Sequence, residues 1–130
     1  MKVYKVCRRM AGRNVSSLAN WPGLEREYNI GQTTLPYEGT YLYAFITLRD
    51  ARRFCIFNGR AIRSGVIFEC EADVVYEGKP TVSFGARELS DVLTWWRNGA
   101  KSTSTMLNEP PEGTVWCRSI MPTSEIWRNK

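Results

Sequence analysis

Residues 41–57 read YLYAFITLRDARRFCIF, and two periodicities meet inside that stretch. Tyr41 to Phe45 is an unbroken run of aromatic and aliphatic residues, the composition of a buried strand. Thr47 ends the run. Its hydroxyl is placed to cap a helix, with Asp50 at the third helical position, a variant of the capping box. Leu48, Ala51, Phe54 and Cys55 then recur at helical spacing and predict a helix over about 47–57. Asn58-Gly59 supplies the expected stop. One strand feeding one amphipathic helix implies a mixed fold.

Working outward, residues 3–10 (VYKVCRRM) read as a strand, with Tyr4 and Val6 opposite Val3, Lys5 and Cys7. The turn Ala11-Gly12-Arg13-Asn14 follows, and Val15 to Ala19 can return as a hairpin partner. Trp21-Pro22-Gly23 breaks the pattern. Glu27 to Ile30 reads as a short strand ended by Gly31, and 31–40 as a loop. Residues 65–76 (GVIFECEADVVY) alternate: Val66, Phe68, Cys70 and Ala72 fall on one face, and Ile67, Glu69, Glu71 and Asp73 on the other. Thr81 to Phe84 is expected to pair with that strand.

Residues 86–97 predict a second helix, with Leu89, Val92, Leu93 and Trp96 inward. A polar, proline-bearing loop, expected to be mobile, spans about 100–113. Gly113 to Met121 reads as the last long strand, and Thr123 to Trp127 as a short edge. The expectation is a single α+β domain over residues 1–130, with a curved, mainly antiparallel sheet and two helices.

Composition narrows the function. The chain has no histidine, which excludes Ser-His-Asp, Cys-His and histidine acid–base designs as well as Cys/His zinc sites. Cys7, Cys55, Cys70 and Cys117 are scattered, without a C-x-x-C pair, and read as buried free thiols of a reducing compartment. No apolar run is long enough for a transmembrane helix, and the first ten residues do not read as a signal peptide. A cytoplasmic location is expected, in the host if the chain is phage-encoded. No phosphate-cradling glycine loop, dinucleotide fingerprint or calcium loop is present. The sequence points to no cofactor, no metal and no catalytic set.

The net charge of +5 is concentrated. Arg49, Arg52, Arg53, Arg60 and Arg63 crowd one segment in which Asp50 is the only acid, so that segment alone carries a charge of four. Arginine presents a planar fork of donors that fits phosphate and carboxylate oxygens. Arg49, Arg52 and Arg53 project from the polar side of the predicted helix, either as a solvated face or as an anion contact. Trp95 and Arg97, at the end of the predicted second helix, suit base stacking or an interface. Arg8 and Arg118 lie on the first and last strands and meet only if those strands are neighbours. These seven residues form the expected ligand-binding set.

Glu69 and Glu71 share a strand face and can share a metal or a proton. Together with Arg8 and Ser102-Thr103-Ser104-Thr105 they resemble the elements of arginine-specific ADP-ribosyltransferases. The order departs from that family, in which the serine-threonine element precedes the acids.

A wider pattern over residues 3–121 includes YKVCRR, VSSL, YNIGQTT, LYAFITLRDARRF, IFECEAD and PPEGTVWCRSI. It resembles small uncharacterised proteins of bacteriophages and prophages. Similarity in size and charge to anti-defence proteins implies two expectations. One is a non-enzymatic protein that binds and sequesters an anionic, nucleotide-like signal through arginines and aromatics. The other is an inhibitor that binds a host defence complex handling nucleic acid. An ADP-ribosyltransferase-like enzyme using Glu69 and Glu71 is the third reading. A homo-oligomer would help the first by building pockets from two copies. Neither membrane association nor specific double-stranded DNA binding is expected at this modest charge without a helix-turn-helix.

Overall fold

The computed structural model describes residues 1–16, 25–37, 40–57, 65–76, 82–83, 107–108 and 113–128. In chain order the elements are β1 (Lys2–Met10), β2 (Arg13–Ser16), β3 (Leu42–Phe45), α1 (Leu48–Phe57), β4 (Gly65–Tyr76), β5 (Val82–Ser83), β6 (Leu107–Asn108) and β7 (Thr114–Arg128). Five strands form one antiparallel sheet in the order β2-β1-β3-β7-β4, and a further β1–β4 pairing joins its ends. The strands β1, β4, β7 and β3 therefore follow one another in a ring, closed between β3 and β1 at the pair Tyr4–Phe45.

This corrects the expected α+β architecture. The fold is mostly sheet, and one helix occurs among the described residues where two were expected. The second predicted helix, at 86–97, lies outside the described residues. The excess of sheet comes from strand length. The stretch expected to end at Met121, with a separate edge at 123–127, is one strand running to Arg128. Proline lacks the amide that a central strand needs. Pro122 is nonetheless accommodated where it stands opposite Cys70, because the β4–β7 register shifts between Glu69 and Cys70. Its carbonyl accepts from the Gly31 amide at 2.9 Å.

Three smaller expectations also change. Glu27–Ile30 is not a strand; Glu27 makes a single bridge to Val15. Val82–Ser83 pairs with β6 in a separate two-stranded sheet and not with β4. Leu107–Asn108 therefore interrupts the segment read as a loop. A β1–β2 hairpin does form, but the return starts at Arg13 and not at Val15, and residues 17–19 of the expected partner lie outside the described residues. Its connection is Ala11-Gly12, both with positive φ, the backbone that matches strand twist in a two-residue turn.

Strand alternation divides the core in two. Val3, Cys7, Leu42, Ala44, Val66, Phe68, Cys70, Val115, Cys117 and Ile120 form one buried cluster with Tyr28, on the inner face of the ring. Val6, Phe45 and Ile67 face the other way and pack against Ala51 and Cys55 of α1. Thus β4 is buried on both faces at Val66, Ile67 and Phe68, although the alternation put Ile67 on the face of the acids. The reason is local: α1 covers the outer face there, and the acids begin one residue beyond Phe68.

Candidate functional site

The helix α1 forms for the reasons legible in its sequence. The Asp50 amide donates to Thr47 Oγ1 at 3.2 Å, and the Thr47 hydroxyl donates to Asp50 Oδ2 at 2.9 Å. Leu48, Ala51, Phe54 and Cys55 face the sheet, with Phe54 against Phe45 at 5.2 Å between ring centroids. That inward stripe fixes the outward one. Arg49, Arg52, Arg53 and Ile56 occupy positions one and two turns apart, and all four are exposed.

The partners of the other arginines give this face its meaning. Arg8 Nη2 meets Glu25 Oε1 at 2.6 Å, Arg13 Nη2 meets Glu27 Oε2 at 3.0 Å, and Arg128 Nη2 meets Glu125 Oε1 at 2.7 Å. Arg118 lies 4.0 Å from Asp73, a loose and exposed contact. Arg26 donates to the carbonyls of Leu35 and Glu25. Among the described residues no carboxylate pairs with Arg49, Arg52 or Arg53; Arg26, held by carbonyls, and the exposed Arg9 on β1 also lack one.

Asp50 is the acid closest in sequence to the cluster, yet it is engaged elsewhere. Its carboxylate is turned to Thr47 and packs against Gly113. That glycine has φ +81°, and a Cβ added there would collide with the Asp50 carboxylate, standing 3.0 Å from Cγ. The Gly113 carbonyl also accepts from the Ile46 amide at 3.0 Å. The start of β7 thus holds the first turn of α1 and keeps its one acid occupied.

The expected ligand set divides accordingly. Arg49, Arg52 and Arg53 share one face. Arg8 is drawn into a half-buried ion pair on β1. Arg118 is on β7, which β4 separates from β1, so Arg8 and Arg118 do not meet as strand neighbours. Trp95 and Arg97 lie outside the described residues. Glu69 and Glu71 do lie on the same side of β4. Lys2 Nζ holds Glu69 at 3.2 Å, and the Met1 amine holds Glu71 at 3.2 Å.

The four cysteines are buried and free, as expected. Burial pushes Cys7 and Cys70 up to about 12 and Cys55 and Cys117 up to about 11, so none is a ready thiolate. No group of acids and thiols among the described residues has the arrangement of a metal site. No described helix is long and apolar enough to cross a membrane.

One unusual group has no counterpart among the expected site residues. Lys5 is only 8% exposed and shares the inner face with Val3 and Cys7. Its ammonium donates to the Tyr43 carbonyl at 2.7 Å and sits over the Tyr28 ring, 5.1 Å from the centroid. Desolvation holds its pKa below the ordinary lysine value of 10.5. The signal was present in the alternation, which gives Lys5 the same parity as Val3 and Cys7.

No protein-family model, curated protein or solved structure matches this chain.

Proposed function

We propose that the protein is a non-enzymatic binder of an anionic, nucleotide-like molecule, and that α1 provides the contact through Arg49, Arg52 and Arg53. The observation that carries this reading is the division among the arginines: those on or beside the strands have protein partners, the isolated Arg9 excepted, and the three clustered on α1 have none among the described residues. Like charges one turn apart weaken a helix by about 0.2–0.5 kcal/mol per pair. Arg49 in the first turn also opposes the helix dipole. Helix stability therefore does not account for the cluster, whereas an anion would relieve it. In the phage setting that the sequence resemblance implies, the role would be sequestration of a nucleotide immune signal.

The test is a thermal-shift panel of nucleotides on the wild type and on Arg52→Glu/Arg53→Glu. A ligand at about a hundred times its Kd stabilises the native state by about 2.7 kcal/mol. The expected result is a shift with the wild type, its loss in the variant, and recovery of the nucleotide unchanged. A shift that survives the charge reversal would place the site elsewhere; a consumed nucleotide would make the protein an enzyme.

A second reading, an inhibitor docking on an acidic protein surface, is favoured by Ile56, which is 56% exposed on the same helix face. Arginine beside an apolar side chain suits an interface. Pull-down by the wild type but not by Ile56→Asp would support it.

A further inference from the structure

The α1 face constrains the ligand beyond its sign. Arg49 lies about 4.5–6 Å along the helix axis from Arg52 and Arg53, one turn away. The three guanidinium groups each present paired donors able to grip two oxygens at once. Three bidentate contacts require about six acceptor oxygens within reach of one helical turn. A phosphodiester offers two charged oxygens and a phosphomonoester three. The linked phosphoryl groups of a nucleoside diphosphate offer five, and those of a triphosphate seven, within the span of one turn.

Charge gives the same answer independently. The face carries three positive charges with no carboxylate against them among the described residues, and Asp50 is held by Thr47 and Gly113. A cyclic mononucleotide brings about one negative charge, and a monophosphate at neutral pH about two. A second phosphoryl group on the first brings the charge to about three at one compact position.

We infer that the α1 face recognises a chain of two or more linked phosphoryl groups, as in a nucleoside di- or triphosphate, and discriminates against cyclic and monophosphate nucleotides. This rests on the reading of α1 as an anion site and names the ligand class of that site. Arg49 engages one phosphoryl group, and Arg52 and Arg53 the next. The phosphoryl chain is the recognised element, so inorganic triphosphate shares the chemistry.

Calorimetric titration with cyclic AMP, AMP, ADP, ATP and inorganic triphosphate, at one low ionic strength and without divalent cations, tests it. Affinity is expected to rise about tenfold or more with each added phosphoryl group, a step of about 1.4 kcal/mol. Triphosphate should bind nearly as well as ATP, and cyclic AMP weakest. Arg49→Ala and Arg53→Ala should each flatten the ladder while leaving the melting temperature within a degree or two, since both side chains are exposed. Cyclic AMP or AMP binding as tightly as ATP, with the arginine variants still weakening it, would overturn the inference and leave the α1 reading standing. Binding unaffected by the arginine variants, or no binding by any of the five, would overturn both. A base-dependent affinity with triphosphate silent would also refute recognition of the phosphoryl chain.

Discussion

Replacing Lys5 by methionine should stabilise the protein at neutral pH, an uncommon outcome for a buried substitution. An ammonium removed from water costs several kcal/mol even after relaxation, and among the described residues no carboxylate answers this one. Two contacts offset part of that cost. The hydrogen bond to the Tyr43 carbonyl at 2.7 Å contributes about 1.5–3 kcal/mol as a charged bond, and the Tyr28 ring up to about 2 kcal/mol. Methionine fills nearly the same volume and loses both contacts. Apolar replacements of buried ions gain about 1–4 kcal/mol, and losing the Tyr43 contact puts this one at the low end, about 1–2 kcal/mol. For a domain of this size that is a rise of about 4–8 °C in Tm.

The pH dependence identifies the cause. Burial lowers the folded pKa of Lys5 below its unfolded value near 10.5. Above that value both states are neutral and the lysine carries no charge penalty. As pH falls below it, the unfolded chain takes up the proton first, and native stability is lost down to the lowered folded pKa. Below that, both states are protonated and the penalty is constant. Melts followed by circular dichroism between pH 6 and 10 should therefore show the advantage of Lys5→Met greatest at low pH and shrinking toward pH 10. A variant that melts lower than wild type, by a margin unchanged across that range, would refute the argument.

Gly113→Ala should destabilise by about 2 kcal/mol or more in urea unfolding: a left-handed alanine costs about 1–2 kcal/mol, and its methyl group displaces the Asp50 carboxylate. Thr47→Ala should cost about 1 kcal/mol through loss of the cap on Asp50, measured the same way, with little change for Thr47→Ser. The four thiols should react with a disulfide reagent at pH 8 only at the rate of unfolding, since burial raises each to about 11 or 12; a fast stoichiometric reaction would show one of them to be open.

What the sequence reveals here depends on range. The helix α1 is legible because its cap, its apolar stripe and its charged face all lie within a dozen contiguous residues, and local chemistry decides each. The hairpin β1–β2 is legible for the same reason. Closure of the ring is not, because it joins Lys2–Arg8 to residues 65–71, and residues 66–76 to 116–128. Those registers are set by packing and leave no local mark. Pro122 misleads outright: proline reads as a strand end, and only the opposite register shift lets β7 continue through it. Burial on both faces of β4 likewise depends on α1 arriving from another part of the chain.

The site shows the same limit at the level of charge. Sequence locates the arginine excess but cannot say which arginines are neutralised. Arg8 finds Glu25 and Arg13 finds Glu27, partners that the strand and the segment after it bring together. Asp50 is the revealing case. Spacing alone offers it to Arg53, one turn ahead on the same helix. Its carboxylate turns back to Thr47 instead, into the space that Gly113 leaves by lacking a Cβ. Among the described residues Arg49, Arg52 and Arg53 thus remain without a counter-charge, for reasons that begin in another strand. The exposed positive face of α1 follows from where the nearby acid is held as much as from the arginines themselves.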